Sequence, residues 1–113
     1  MSASISTHVL DISLGRPAQG VGVTLEIESA GEWRVLGRGA TNSDGRAADL
    51  LSSGKLVEGT YRLRFDTGAY FSSREISSFY PSVEITFLVR DASQHHHVPL
   101  LLSPYGYSTY RGS

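Results

Sequence analysis

Val21-Gly22-Val23-Thr24-Leu25-Glu26-Ile27-Glu28 alternates apolar with small or polar residues at every step. Only an extended strand sends successive side chains to opposite faces, so this stretch reads as a half-buried β-strand. Tyr61, Leu63 and Phe65 repeat the pattern against Arg62, Arg64 and Asp66, as do Val83, Ile85, Phe87 and Val89 against Glu84, Thr86 and Arg90, with Leu88 the one exception. Working outward, residues 7–12, 33–39, 95–102 and 107–112 read as four more strands, and residues 47–51 as a short one. Gly15-Arg16-Pro17, Ser29-Ala30-Gly31, Asn42-Ser43-Asp44-Gly45, Ser52-Ser53-Gly54 and Tyr80-Pro81 punctuate them as turns. One short helix is expected over residues 67–73, with Asp66 or Thr67 as its cap. Seven or eight short strands at this spacing predict a mainly β protein, an antiparallel sandwich of two facing sheets.

The 113 residues fit one domain spanning 1–113. With 10 basic against 11 acidic residues there is no electrostatic footprint for nucleic acid or an anionic membrane. The chain has no cysteine, which excludes disulfides and thiolate metal sites. Met1-Ser2-Ala3-Ser4-Ile5-Ser6 lacks the basic and apolar regions of a secretory leader, and no stretch approaches the ~20 apolar residues of a membrane span. The final Arg111-Gly112-Ser113 is not a peroxisomal address. A soluble, cytoplasmic protein is expected.

Three of the four histidines, His95, His96 and His97, precede an apolar run, a Ser103-Pro104 turn and a terminus rich in tyrosine. Disordered tails are poor in aromatics, so this terminus is expected to be ordered. Sorted by period 2, His8 shares a face with Leu10 and Ile12, and His95 and His97 share one with Pro99 and Leu101. Ser108, Tyr110 and Gly112 form one face of the last strand; Tyr107, Thr109, Arg111 and Ser113 form the other. Arg46, after the Asn42 turn, offers a guanidinium suited to a carbonyl or oxyanion. With no cysteine and no Gly-x-Ser-x-Gly elbow, histidine-assisted attack by water is the simplest chemistry. His8, His95 and His97 are also the donor types of a three-histidine zinc site, but only Asp91 lies nearby in sequence to orient them.

Thr7-His8-Val9-Leu10-Asp11, Gly15-Arg16-Pro17-Ala18, Thr41-Asn42-Ser43-Asp44-Gly45-Arg46, His97-Val98-Pro99-Leu100-Leu101-Leu102-Ser103-Pro104 and Tyr110-Arg111-Gly112-Ser113 together resemble the 5-hydroxyisourate hydrolases, transthyretin-related enzymes of urate breakdown. The resemblance covers nearly the whole chain, and the terminal Tyr-Arg-Gly-Ser is its most specific mark. It implies a transthyretin-like, eight-stranded sandwich with one short helix, assembled as a homotetramer, a dimer of dimers, with sites in a channel between dimers. It makes His8, Arg46 and His97 catalytic, with Tyr110, Arg111, Gly112 and Ser113 binding substrate, and it implies neither metal nor cofactor; Ser108, on the Tyr110 face of the last strand, is expected to bind substrate beside them. The implied reaction opens the six-membered ring of 5-hydroxyisourate by water attack on a ring carbonyl, giving 2-oxo-4-hydroxy-4-carboxy-5-ureidoimidazoline. Either His8 or His97 activates water while the other relays a proton. The family usually has tyrosine where this chain has His96, on the face opposite His97. The rival readings are a transthyretin-like carrier without catalysis, a zinc hydrolase and a purely structural sandwich.

Overall fold

The computed structural model describes residues 4–51 and 54–113. Met1-Ser2-Ala3 and the Ser52-Ser53 part of an expected turn lie outside them. In chain order the described elements are β1 (Ile5–Asp11), β2 (Arg16–Pro17), β3 (Gly22–Ser29), β4 (Glu32–Ala40), β5 (Arg46–Ala47), β6 (Gly59–Phe65), α1 (Thr67–Ser72), β7 (Val83–Val89), β8 (His96–Ser103) and β9 (Gly106–Thr109). One sheet runs β4-β3-β6-β7; the other runs β2-β1-β8-β9, with β5 also on β1. The sandwich of two sheets expected from periodicity is therefore present.

Every pairing is antiparallel except one: β1 lies parallel to β8, with Ser6 opposite His97 and His8 opposite Pro99. Alternation fixes which residues face inward but carries no sign of strand direction, so this pair was not visible in the sequence. Arg16-Pro17, read as part of a turn, instead pairs with Leu10 and Asp11. The short strand read over residues 47–51 is confined to Arg46–Ala47. In β7, Leu88 keeps strict alternation and simply points out, at 51% exposure.

Inward residues of both sheets form one buried cluster, including Ile5, Val9, Leu100 and Leu102 from one and Val23, Leu25, Leu63 and Phe65 from the other. Burying each such side chain fully is worth about 1.5–3 kcal/mol. The turn joining β3 to β4 holds Ala30 at φ 53° and Gly31 at φ 81°, with Ser29 paired to Glu32. Two positive φ values in a two-residue hairpin turn match the right-handed twist of the flanking strands.

Helix α1 starts after Asp66, which sits at the N-cap position without a capping side-chain bond. The helix buries Tyr70 and Phe71, and Tyr70 donates its hydroxyl to Asp11 Oδ2 at 2.7 Å. Burial works to raise the Asp11 carboxyl, but bonds from Ser13, Tyr70 and Leu14 outweigh it and hold the group below its ordinary value. Burial and the same bond push the Tyr70 phenol up to about 12. This fixes the far end of β1, the strand that carries His8.

Candidate active site

The site is the outer face of the sheet containing β1 and β8. Along β1 the odd residues are buried, leaving Ser6, His8 and Leu10 outward; along β8 the even residues go inward and His97, Pro99 and Leu101 share the outer face, where Pro99 is itself covered. Parallel register then sets Ser6 beside His97 and His8 beside Pro99. On the opposite side of β1, Arg46 pairs with His8. A polar row Arg46–His8 thus lies one step from a second row, Ser6–His97.

Arg46 reaches this position through the Asn42 turn. Asn42 Oδ1 accepts from the backbone N–H groups of Asp44 at 2.9 Å and Arg46 at 3.0 Å, and the Gly45 carbonyl accepts from Val9 N–H at 2.7 Å. Gly45, at φ 76°, has no room for a side chain, since a Cβ would stand 2.4 Å from the Val9 carbonyl oxygen. The Arg46 guanidinium is exposed, with no ion pair among the described residues.

On the far side of β8, the expected strand over residues 107–112 is interrupted. The ladder stops at Thr109 and resumes at Gly112, which pairs with His97 in the register that an unbroken ladder would have kept. Pro99 explains the gap: it has no N–H for Tyr110, and its carbonyl accepts the Thr109 hydroxyl at 2.6 Å. Gly112 N–H donates to the His97 carbonyl at 2.9 Å. Its missing side chain has a direct use, because a Cβ there would stand 2.6 Å from His97 Cδ2.

The structure therefore brings His8, Arg46, His97 and Gly112 together, with Ser108 on the same face opposite Leu101. Arg111 goes elsewhere: its guanidinium donates to Gln94 Oε1 at 3.1 Å. Tyr110 is 58% exposed and Ser113 is exposed. A cavity of about 230 Å³ between the sheet edges takes in His97, Tyr110 and Arg111, together with Phe87 and Leu88, but not His8 or Arg46.

Ser6 was missed by sequence reasoning. Its Oγ lies 2.8 Å from His97 Nδ1 and 2.8 Å from His95 Nε2. Extending the β1 stripe one more step of two toward the N-terminus would have found it. Burial, then the charge of Arg46 and the proximity of His8 and His95, hold His97 below the ordinary histidine value, with hydrogen bonding to the Ser6 backbone partly opposing them. His97 is thus neutral at neutral pH. His96 faces the interior, buried, with Nδ1 2.9 Å from the Gln94 carbonyl oxygen, and burial also lowers it. Among the described residues no group of three or more His, Asp or Glu is arranged to hold a metal ion.

A two-sheet sandwich of this topology, with histidines and an arginine across one outer face, defines a transthyretin-type protein equipped for acid–base chemistry. The chain belongs to the HIUase/Transthyretin family, whose profile it matches over residues 5–112. It is 50% identical over 112 residues to a protein of Caenorhabditis elegans named as a probable 5-hydroxyisourate hydrolase, covering 99% of this chain and 83% of that one. The solved 5-hydroxyisourate hydrolase of Klebsiella pneumoniae superposes with a TM-score of 0.87 at 40% identity, covering 98% of this chain and 99% of the other. Sea bream transthyretin, solved with thyroxine, superposes with a TM-score of 0.91 at 28% identity, covering 97% and 95%.

Proposed function

We propose that this chain is a 5-hydroxyisourate hydrolase, opening the six-membered ring of its substrate to 2-oxo-4-hydroxy-4-carboxy-5-ureidoimidazoline. The observation that carries the reading is the meeting of two histidines and an arginine without an ion pair among the described residues on one sheet face, in a chain with half its residues in common with a relative named as a probable enzyme of this kind. Ring opening needs a base for water, a proton donor for the departing nitrogen and a positive group for the tetrahedral oxyanion. His97, held neutral, takes the proton from water; His8 relays a proton to the leaving nitrogen; Arg46 faces the developing charge. Each acid–base role is worth about 10²–10⁴-fold. Ser108, Tyr110, Gly112 and Ser113 bind the planar ring, and Arg111, bonded to Gln94, orients this end from behind.

The working form is a homotetramer, a dimer of dimers, in the cytoplasm. Supporting this are the open edges of β7 and β9 and the exposed apolar side chains beside them, Leu88, Phe79, Tyr107 and Tyr110. On a single protomer the polar face lies open, and a second copy over it would form the channel wall. No helix among the described residues is long and apolar enough to cross a membrane.

The deciding experiment follows the ultraviolet decay of freshly made 5-hydroxyisourate with and without protein, in the presence and absence of a chelator. Acceleration that survives the chelator is expected. Saturable binding without turnover would instead establish a carrier, and loss of rate restored by added zinc a metal hydrolase.

A further inference from the structure

Ser6 touches two imidazoles at once. Its Oγ is 2.8 Å from His97 Nδ1 on one side and 2.8 Å from His95 Nε2 on the other. The contact is imposed by the backbone: Ser6 is the register partner of His97, and the strand before it is tied by His96 N–H to the Ser4 carbonyl at 2.8 Å. His97 is flanked by Gly112 in the same way on β8's other side. Its Nδ1 is engaged, while Nε2 has no hydrogen-bond partner among the described residues. His95 lies outside β8 and is exposed to solvent.

A hydroxyl carries one proton and accepts others, so the chain His95–Ser6–His97 has two neutral arrangements. In one, His97 Nδ1–H donates to Ser6, Ser6 donates to His95 Nε2, and His97 Nε2 holds a free lone pair. In the other, His95 Nε2–H donates to Ser6, Ser6 donates to His97 Nδ1, and His97 Nε2 carries the proton. The first arrangement makes His97 a base and the second makes it a donor. We propose that Ser6 is a positioning residue that sets the His97 tautomer and, with His95, forms a proton path between His97 and solvent.

The proposal rests on the hydrolase reading. As the water oxygen bonds to the ring carbonyl carbon, its proton goes to His97 Nε2. The Nδ1 proton passes to Ser6, the Ser6 hydroxyl proton to His95 Nε2, and His95 gives up its Nδ1 proton to solvent, which leaves every member neutral. As the carbon–nitrogen bond breaks, His97 Nε2–H passes its proton by way of His8 to the nitrogen, and the reverse transfers bring a proton in from solvent to restore the first arrangement. The charged or titratable groups facing His97 are Arg46, His8 and His95. All three oppose a lasting positive charge on it, which favours passing the proton onward.

The test compares wild type with S6A, S6T and H95Q. In S6A, kcat falls on the order of tenfold or more with KM within about twofold, since a base held in the wrong tautomer loses its acid–base contribution. S6T restores the hydroxyl and most of the rate. In H95Q the glutamine bonds Ser6 but cannot pass a proton through, and added imidazole raises kcat in this variant alone. Wild-type kcat in S6A, or an H95Q rate that imidazole leaves unchanged, overturns the proposal. A nitrogen-detected magnetic resonance titration of His97 needs no substrate. Nδ1 protonation dominant in wild type and lost in S6A supports the Ser6 link, and the same tautomer mixture in both overturns it. Failure of wild type to open 5-hydroxyisourate, by contrast, counts against the hydrolase reading.

Discussion

His97 is the residue on which most of the site converges, touched by Ser6 through its ring nitrogen and by Gly112 through backbone and close packing. Removing its ring in H97A is expected to lower kcat by about 10²–10⁴-fold while the protein stays folded, since the side chain lies on the outer face rather than in the core. Steady-state rates with a circular dichroism melt check this. Because burial and Arg46 hold His97 below the usual ~6.5, the active neutral form persists on mild acidification. The acid limb of kcat/KM should therefore have its midpoint below ~6.5, and a midpoint above that value would count against His97 as base. G112A places a methyl against the His97 ring, so kcat should fall at least tenfold with little change in melting temperature. At this scale the sequence was readable where a side chain's face could be counted: period 2 put His8 and His97 on their faces, and Arg46 stood out only by following the Asn42 turn. Ser6 was missed because the strand was started at residue 7 and because a serine carries no chemical signature until two histidines flank it.

Elements show where local chemistry decides and where it does not. The β3–β4 turn puts Ala30 in the left-handed region, which costs an alanine about 1 kcal/mol. A30N, with a residue that tolerates this conformation, should raise stability by a few tenths to about 1 kcal/mol in denaturant melts without altering activity. On the outer face of β3, Glu26 is only 4% exposed because arginines cover it. The Arg62 bond at 2.8 Å and the charges of Arg62, Arg64 and Arg38 hold its carboxyl below the ordinary value, and Arg62 in turn lies 4.3 Å over the Trp33 ring. A lowered folded value means that the stabilisation is complete above the unfolded ~4.3 and fades as pH falls through the folded one. E26Q should lose about 1–3 kcal/mol at pH 7 and show a shallower loss on acidification, measured by urea melts across pH 2–7. Strand existence was legible from alternation, and β3, β6 and β7 follow it closely. Strand ends were not. The break after Thr109 depends on Pro99, a residue on a different strand, and the pairing of Arg16–Pro17 depends on β1 lying alongside.

The whole molecule is assembled from ends distant in the sequence. Leu88, exposed near the C-terminal end of the β7 edge, is the natural place to test the proposed association: a lysine on an open edge opposes edge-to-edge pairing, so L88K should shift the mass measured by light scattering from that of the proposed tetramer toward smaller species. An unchanged mass would place the interface elsewhere. The architecture as a class followed from strand count and spacing, whereas the parallel β1–β8 contact did not, because nothing in either strand encodes which of several apolar neighbours it will meet. That contact has a consequence for how the protein comes into being. Ser6 and His97 are 91 positions apart, and His97 in turn needs Gly112. A ribosome has released almost the entire polypeptide before these groups meet for the first time, and such long-range closure is slow. A product terminated between Arg46 and His97 carries His8 and Arg46 but lacks the other half of this face. The Ser6–His97–Gly112 cluster thus forms only after its most widely separated strands have met.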